Sequence, residues 1–532
     1  MDITALVARL PEQNARSIIS FENGRVVMRT HMDVYADTQA ACDRLTAWGL
    51  KPGMRVGIRA PNSYQWIIHD LALIQTRAVS VAFTDDFAQM GAEELCEKYS
   101  LSLIFVTSKE GARDPEKSPF IAYIDGDNDG VKVIDRGVPA DDESFDKPGL
   151  IFSSGSTGGL RSLVLNRKGI EESVDSFTQV IAPREDDSVL LFLPISNFQQ
   201  RLIYYSALWY GFDIIVTDPS RLFRALKELH PTILIAPPTL YEAFETRFSN
   251  LPKWKQLIAH VAGNAALKLP IESARQKAAR LFFKEVYETL GGRMRFMVTG
   301  MAPIKRSTLD LFARMQLPLF ETYGLIEFGS VALNVPNAHK VGSVGRLLPG
   351  VQVEIADDGE IIAHREQMQT HGYFECAEGE SEKTFIGNNR VATGDIGRFD
   401  DDGYLYLIGR KKEIIITGGG KKVHPEALEA EINACPDVAR SVVFGSQGAP
   451  SLVAVVLPKN PKDAGAQGRI QQFVEKFNER QPSMTVGKIV FTDLEFSREN
   501  GFLRPNLKLD RKKIGQHFQA EISALAAGAG KI

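Results

Sequence analysis

The chain has 532 residues, of which 44% are hydrophobic and 24% are charged. These values are close to the average for folded soluble proteins, so they exclude a disordered, collagen-like or disulfide-dense chain. At roughly 100–200 residues per domain, the length predicts two to four domains. The net charge of -4 provides no overall basic field, so nucleic acid is not an expected partner.

The cysteines and the start of the chain bear on the cellular compartment. Cys42, Cys96, Cys376 and Cys435 are far apart and form no CxxC pair, so neither a zinc site nor a disulfide framework is indicated. The first residues lack the features of a signal peptide, and no uncharged apolar stretch reaches the roughly 18 residues of a membrane span. We therefore expect a cytoplasmic protein with no integral membrane segment.

Short apolar runs alternate with helical or loop segments through roughly the first 300 residues. Apolar residues recur at helical spacing from Ala36 to Leu50, and the strand-like runs that follow include RVGIRAP, SLIFVT, SVLLFLP, FDIIVTD and MRFMVTG. Alternation of this kind predicts a mostly parallel sheet that is covered by helices on both faces.

The pattern changes after about residue 340. The segments VQVEIADDGEIIA and GYLYLIG indicate antiparallel hairpins. A smaller α+β pattern follows, in which Pro425 suits the first turn of a helix. We therefore predict an α/β fold, with an N-terminal domain of two α/β lobes over residues 1–410, including a β-rich subdomain at about 340–410, and a small, mobile α+β C-terminal domain over residues 411–532.

Charge is unevenly divided between these parts. Basic residues outnumber acidic ones in residues 411–532, and the reverse holds for the rest of the chain. Ordinary surface variation accounts for such a division, and so does a basic lid over a phosphorylated ligand.

The most informative segment is LIFSSGSTGGLRSLVL, in which a buried-strand run leads into a loop rich in serine and glycine. Hydroxyls and backbone N–H groups beside Arg161 suit a polyphosphate, although a plain flexible loop is the alternative. A Walker loop is excluded because Leu160 and Arg161 stand where glycine and lysine are required. A nucleophile elbow is excluded because SGSTG lacks the GxSxG order. The loop consists of Ser153, Ser154, Gly155, Ser156, Thr157, Gly158 and Gly159.

Three further segments carry residues suited to a nucleotide. FETYGLIEFG contains Tyr323, which can stack on a base, and Glu327, which can hold Mg²⁺ beside phosphates; a core tyrosine and a surface acid are the alternative. VATGDIGRF and the following GRKKEIIITGGG contain Asp395, which can accept two hydrogen bonds from ribose, and Arg410. NGFLRPNLKLDR contains Lys508, a candidate point charge for a phosphate or carboxylate oxygen.

Together and in this order, with TGMAP and HPTILIAPPTLYEAF between them, these segments resemble the adenylate-forming superfamily of acyl-CoA synthetases, peptide-synthetase adenylation domains and luciferases. The resemblance covers nearly the whole chain, and SNFQQR and NGFLRPNLKLDR look closest to the long-chain fatty acyl-CoA synthetase branch. Members of the superfamily join a carboxylate to the α-phosphate of ATP, and most then transfer the acyl group to the thiol of CoA or of a phosphopantetheine carrier protein. The resemblance therefore implies an ATP- and Mg²⁺-dependent acid–thiol ligase.

The resemblance also implies roles for single residues. Glu327 would bind Mg²⁺, Asp395 would hold the ribose and Arg410 would bind ribose or phosphate. Lys508 would bridge the carboxylate and α-phosphate oxygens, and Lys412 would be the hinge of the C-terminal domain. The Ser153–Gly159 loop and Arg161 would hold pyrophosphate. Adenine would be held by Tyr323 and by a segment called the adenine segment, which consists of Thr299, Gly300, Met301, Ala302 and Pro303. Further nucleotide contacts would come from Glu321, Thr322, Gly324 and Ile326, and the thiol tunnel would be bordered by Gly418, Gly419 and Gly420.

The chain departs from the superfamily's pattern at several positions. Arg161 replaces the usual lysine of the phosphate loop, Ile326 replaces a threonine and Met301 replaces a glycine. Asn197 stands where many acyl-CoA synthetases carry histidine, and Gln200 stands where the long-chain branch often has glutamate. These changes motivate one alternative, a non-catalytic nucleotide-binding homologue. A serine-based amide hydrolase is a weaker one, because it leaves the other segments unexplained.

The substrate is less well determined. Asn197 and Phe198 lie near the superfamily's acyl pocket, and no aspartate stands where amino-acid-activating relatives hold an α-ammonium group. We therefore expect a fatty acid of medium to long chain, with an aryl or polyketide-type acid as the alternative. Both CoA and an acyl carrier protein remain possible acceptors.

Overall fold

A computed structural model of the chain describes residues 1–13, 15–108, 118–126, 128–137, 146–154, 160–249, 251–252, 256–257, 261, 263–264, 271–417, 421–445, 452–480, 485–497, 499–503 and 509–527. Strands and helices carry numbers in chain order. The fold is α/β, with two large sheets, a smaller antiparallel sheet and an α+β C-terminal part. The predicted fold class is therefore confirmed.

The larger sheet has parallel strands at its centre and antiparallel strands at both edges. Its central strands are short and apolar, as expected of parallel strands that are buried on both faces. From one edge to the other, the sheet contains β15 (Arg346–Leu347), β14 (Gly329–Leu333), β13 (Leu319–Leu325), β12 (Phe296–Thr299), β11 (Ile233–Ala236), β9 (Ser188–Leu191), β10 (Asp213–Val216), β1 (Ser17–Glu22) and β2 (Arg25–Thr30).

The second large sheet includes a strand from the part of the chain predicted to be a β-rich subdomain. In order, it contains β18 (Thr370–Phe374), β8 (Leu160–Leu165), β7 (Gly149–Ser154), β4 (Val79–Ala82), β3 (Arg55–Arg59), β5 (Leu103–Val106) and β6 (Ile121–Tyr123). Strand β18 pairs with β8 in antiparallel register. Gly169 permits the approach, because a Cβ atom there would lie 1.8 Å from the carbonyl oxygen of Met368.

Helices pack against both sheets, and a single cluster of buried side chains joins them. Ile58 and Ile151 of one sheet share this core with Ile214 and Val298 of the other. The helices before the C-terminal part are α1 (Leu6–Arg9), α2 (His31–Ala47), α3 (Tyr64–Gln75), α4 (Ala92–Lys98), α5 (Arg167–Ile181), α6 (Phe198–Tyr210), α7 (Leu222–Leu229), α8 (Pro238–Ser249), α9 (Glu272–Phe282), α10 (Lys284–Thr289) and α11 (Arg306–Arg314). None of the helices in the described residues is both long enough and apolar enough to cross a membrane.

The rest of the chain forms small sheets and helices. The antiparallel sheet contains β16 (Gln352–Ile355), β17 (Glu360–His364), β19 (Arg390–Phe399) and β20 (Leu405–Arg410). After it come β21 (Ile415–Ile416), β22 (Lys422–Val423), α12 (Pro425–Asn433), β23 (Val438–Phe444), β24 (Leu452–Pro458), α13 (Ala466–Arg480), β25 (Val486–Phe491), α14 (Arg511–His517) and α15 (Gln519–Ala527).

Two contacts join this C-terminal part to the larger sheet's helices. The Lys305 ammonium donates a hydrogen bond of 2.7 Å to the carbonyl of Ala439, and Arg440 lies 3.5 Å from the carboxylate of Glu242 on α8. Lys412, in the single-turn 3₁₀ helix Lys411–Glu413, directly follows β20. The domain limits at residues 410 and 411 and the hinge at Lys412 stay predictions.

A buried ion pair fixes α3 against α6. The carboxylate of Asp70 is fully buried and pairs with Arg201, whose side chain is 2% exposed. It also accepts hydrogen bonds from Tyr204, from Tyr205 at 2.6 Å and from Ser80 at 3.1 Å. A buried charge is stable only when it is paired and hydrogen-bonded, and these four donors provide that compensation.

We predict that Asp70→Asn lowers the free energy of unfolding by about 3–5 kcal/mol, because the Arg201 charge would stay buried without a counter-ion. Arg224→Gln is the control, since Arg224 pairs with Glu228 at the surface and should change stability by less than about 1 kcal/mol. Denaturant unfolding measures both values. Similar small losses in the two variants would contradict the prediction.

Candidate active site

The predicted nucleotide segments meet at the carboxyl ends of β12 and β13. Thr299 ends β12 and pairs with Glu321 of β13. Among the described residues, the buried hydroxyl of Thr299 has no hydrogen-bond partner. Gly300 follows, and a Cβ atom there would lie 2.7 Å from a methyl carbon of Thr322. The two strands can therefore approach closely only because residue 300 is glycine.

Met301 has a left-handed backbone, with φ of 71°. This conformation favours glycine, the residue that the superfamily resemblance places here, and it costs a methionine roughly 1–2 kcal/mol. The Met301 side chain is 44% exposed, and Ala302 and Pro303 after it are exposed as well. The turn after β12 thus keeps a glycine-like backbone and adds a side chain at the surface.

Asp395 joins two of the predicted site residues. One carboxylate oxygen accepts a hydrogen bond of 2.7 Å from the Tyr323 hydroxyl, and the other lies 3.0 Å from Nε of Arg410. Asp395 and Arg410 are cross-strand partners on β19 and β20, so strand pairing brings them together. Burial, together with the Asp395 carboxylate, raises the pKa of Tyr323 well above its usual value. Tyr323 therefore remains a hydrogen-bond donor at neutral pH.

A second group of residues includes Arg161 and Glu327. Arg161 pairs with the carboxylate of Glu380, and its other terminal nitrogen donates a hydrogen bond of 3.3 Å to the Tyr373 hydroxyl. The same hydroxyl donates to Glu327 Oε1 at 3.3 Å. Thr370 donates a hydrogen bond of 2.7 Å to the carbonyl of Glu327. The predicted phosphate-binding cation and the predicted metal ligand are thus linked through one hydroxyl.

Glu321 is a carboxyl with a shifted pKa beside the adenine segment. Burial raises its pKa to about 7, although the Gly342 N–H donates a hydrogen bond of 3.0 Å to Oε2 and Arg306 acts in the opposite direction to burial. Beside it, Thr322 donates a hydrogen bond of 2.8 Å to the carbonyl of Ala332. The Glu321 carboxyl is therefore partly protonated near neutral pH.

The other predicted site residues are distributed as follows. Ser153 is buried opposite Arg161 in the β7–β8 pair. Ser154 ends β7. Gly324 lies in β13 at a register shift, and Ile326 is half-buried. Several of the predicted residues lie outside the described residues, namely Gly155, Ser156, Thr157, Gly158, Gly159, Gly418, Gly419, Gly420 and Lys508.

The two predicted pocket residues lie at the start of α6. Asn197 precedes the helix and is half-buried. Phe198 is 2% exposed and packs within the shared core, with the Arg201 guanidinium 5.3 Å from its ring centre. Their proposed contact with a substrate stays a prediction.

The structure also contains an apolar cavity that sequence reasoning missed. It lies between α5, α6 and the larger sheet, and its lining includes Phe177, Thr178, Ile203, Ser206, Ile233 and Ile235. Ile235 pairs with Val298, the residue before Thr299, across β11 and β12. The cavity therefore lies against β11, one strand away from β12, and it has room for about one water molecule. Apolar periodicity alone could not separate these residues from ordinary core residues.

Comparison with known proteins identifies the family to which the chain belongs. Residues 7–372 match the model of the AMP-binding enzymes, and residues 412–529 match that of the AMP-binding enzyme C-terminal domain. The chain belongs to the AMP-binding enzyme family. As a member, it is an acyl-CoA synthetase-like, AMP-forming ligase, and the resemblance inferred from the sequence motifs is confirmed.

Named relatives and solved structures agree with this membership. A long-chain-fatty-acid–CoA ligase, FadD15, of Mycobacterium bovis is 27% identical over 92% of this chain and 90% of its own. The human long-chain-fatty-acid–CoA ligase 1 is 25% identical over 89% of this chain and 78% of its own length. ATP-bound MatB from Rhodopseudomonas palustris aligns with a TM-score of 0.73 at 20% identity, covering 98% of this chain and 100% of that one. The o-succinylbenzoate CoA synthetase MenE from Bacillus subtilis aligns with a TM-score of 0.70 at 17% identity, covering 96% of this chain and 97% of that one. These two structural likenesses show a shared fold.

We predict that Glu321→Gln stabilises the protein more as pH rises from about 5 to about 8. A folded-state pKa of about 7, above the ordinary value of 4.5 for a glutamate, means that the stability contributed by this carboxyl is present below pH 4.5 and lost as pH rises through 7. Glutamine avoids this loss and still accepts the Gly342 hydrogen bond. Thermal unfolding across this range should show a gain on the order of 2 kcal/mol at the upper end.

An exposed carboxyl on α4 provides the control for this experiment. Glu97→Gln removes a carboxyl that is exposed to water and is measured in the same way. The prediction would be wrong if the Glu321→Gln stability difference did not change with pH.

Proposed function

We propose that this AMP-binding enzyme activates a fatty acid with MgATP, forming an acyl-adenylate and pyrophosphate, and then transfers the acyl group to the thiol of CoA or a phosphopantetheine carrier protein. The observation that carries the proposal is the link between Arg161 and Glu327 through the Tyr373 hydroxyl. It supports a site in which a cation and a carboxylate face one polyphosphate, next to the Asp395 cluster that suits a ribose.

The first half-reaction needs residues that bind and orient ATP. One oxygen of the Asp395 carboxylate accepts a hydrogen bond from Tyr323 and the other pairs with Arg410, and each oxygen keeps a further lone pair for a ribose hydroxyl. Thr299 offers a buried hydroxyl without a partner in the described residues. Arg161 offers a guanidinium fork to phosphate oxygens. These groups favour a bound nucleotide whose α-phosphate is presented to an incoming acid.

Adenylate formation then proceeds by attack of a carboxylate oxygen on the α-phosphorus. The bond from the α-phosphorus to the bridging oxygen breaks, and pyrophosphate leaves with that electron pair. Lys508 would sit between the carboxylate and α-phosphate oxygens, where negative charge builds up in the transition state, and would stabilise it. Its placement follows from the family resemblance.

The residues at the site fit a magnesium ion that is shared with the substrate. Among the described residues, no cluster of three or more potential metal ligands is present. Mg²⁺ is commonly held by one or two carboxylates together with substrate phosphates, and Glu327 would supply one carboxylate. When bound, the ion would neutralise phosphate charge. The Tyr373 and Thr370 hydrogen bonds orient Glu327 for this purpose.

In the second half-reaction the thiol sulfur attacks the acyl carbonyl carbon, and AMP leaves with the electron pair of the broken C–O bond. The family resemblance assigns the thiol path to Gly418–Gly420 and assigns the change of domain orientation to a hinge at Lys412. The excess of basic residues in the C-terminal part suits the phosphates of CoA and the acidic surface of a carrier protein alike.

The relatives support a substrate with an aliphatic chain. Two of them are named long-chain-fatty-acid–CoA ligases, which points to a fatty acid. The apolar cavity between α5 and α6 has room for only about one water molecule, so it is a packing void and does not hold an acyl chain.

The proposal is tested by pyrophosphate release across a panel of straight-chain, aryl and polyketide-type acids, with no thiol, with CoA, and with a carrier protein. Release that requires both MgATP and a fatty acid supports it, and the thiol that accelerates turnover identifies the acceptor. Preference for an aryl acid would favour the alternative substrate class. Binding of MgATP without turnover on any acid would contradict the proposal and favour a nucleotide-binding homologue.

We predict that Lys508→Ala slows adenylate formation by about 100-fold or more, because the charge that stabilises the transition state is lost. Thioester formation from a supplied acyl-adenylate should stay near the wild-type rate. Lys512→Ala on α14 is the matched control, since it removes an exposed lysine nearby. Single-turnover assays of each half-reaction measure the effect, and equal loss of both in folded Lys508→Ala protein would show that this division of roles is wrong.

A further inference from the structure

Tyr373 contacts two of the predicted site residues, although none of the sequence motifs indicates a role for it. Its hydroxyl accepts a hydrogen bond from Arg161 at 3.3 Å and donates one to Glu327 at 3.3 Å. Thr384 Oγ1 lies 3.4 Å away. A phenol has one proton and two acceptor positions, so donation to the carboxylate and acceptance from Arg161 satisfy it without conflict.

Strand pairing explains why Tyr373 reaches both residues. Tyr373 lies opposite Leu163 in the β18–β8 pair, and Arg161 is two residues from Leu163 on the same face of β8. The Arg161 guanidinium lies 4.9 Å from the centre of the Tyr373 ring. The ring also packs against Phe385, with 5.4 Å between the ring centres. Tyr373 is therefore held by contacts with two neighbours.

Arg161 has a second partner that a nucleotide would have to replace. One terminal nitrogen faces Tyr373 while the other pairs with Glu380, whose side chain is 31% exposed. The planar fork of arginine holds both partners at fixed angles, which a lysine point charge does not. An arginine at position 161, where the superfamily usually has lysine, can therefore contact Tyr373 and Glu380 at the same time.

We propose that Tyr373 is a positioning residue that holds Arg161 and Glu327 in register for the phosphates of MgATP, and that Glu380 is the counter-ion Arg161 exchanges for phosphate. This inference rests on the proposed function, because it concerns the same nucleotide site.

The test compares Tyr373→Phe with Glu380→Gln in the full-length protein. Tyr373→Phe should raise both the Kd and the KM for MgATP by about tenfold, as expected for a lost hydrogen bond between charged partners. Its kcat should change by less than about threefold, since no transition-state contact is removed. Glu380→Gln should lower the KM by about threefold, because a partly exposed competing charge is removed.

Tyr406→Phe is the matched control, because the Tyr406 hydroxyl also donates a 3.3 Å hydrogen bond to a carboxylate, that of Asp400, outside the site. It should leave both constants unchanged. Calorimetric titration with MgATP alone gives Kd without requiring turnover, and thermal unfolding checks that each variant is folded. The opposite signs expected for the two site variants cannot arise from general damage.

Two results would overturn the inference: an unchanged Kd for MgATP in folded Tyr373→Phe, or a raised KM in Glu380→Gln. Tyr373→Phe should also have a smaller effect in an Arg161→Lys background, since the two side chains act together; fully additive effects would count against the inference. Wild-type protein that binds no MgATP would instead overturn the proposed function, so the two failures are distinguishable.

Discussion

The geometry of the candidate site depends on the carboxylate of Asp395. It accepts a hydrogen bond from Tyr323, which lies on the larger sheet, and pairs with Arg410, which ends the last strand before the C-terminal part. One side chain thus ties the larger sheet to the antiparallel sheet at the point where the chain continues toward Lys412. Because Asp395 is buried and charged, it needs both partners, so the three residues are constrained together.

The second constraint is the pairing of β18 with β8. It brings Tyr373 next to Arg161, and the segment before it supports the loop of Glu327 through Thr370. A short strand from late in the chain therefore completes the sheet that carries the phosphate loop. The two constraints act at opposite ends of the same segment, Tyr323–Glu327, which is why residues far apart in sequence form one site.

Local patterns predicted much of this fold. The runs RVGIRAP, SVLLFLP and MRFMVTG became β3, β9 and β12, because short apolar runs between turns are typical of buried parallel strands. The same patterns did not predict which strands pair with each other. The alternating pattern around Tyr373 predicts a strand but does not predict that this strand, β18, pairs with β8 and not with the antiparallel sheet. Pairing depends on contacts between distant parts of the chain. The roles proposed for Tyr373 and Glu380 could not be predicted from the sequence for that reason, and the residues that line the cavity could not be distinguished from core residues. Motif order nevertheless identified the family, while the roles of Lys508 and Gly418–Gly420 still rest on resemblance.

The central claim is that a carboxylate attacks the α-phosphate of ATP. The most direct measurement uses a fatty acid labelled with ¹⁸O in its carboxyl group, with MgATP and CoA, and locates the label by mass spectrometry. The account predicts one ¹⁸O atom in AMP and none in pyrophosphate, because cleavage of the acyl-adenylate leaves an acid oxygen on phosphorus. Label in inorganic phosphate together with ADP would show an acyl phosphate instead and would contradict the account.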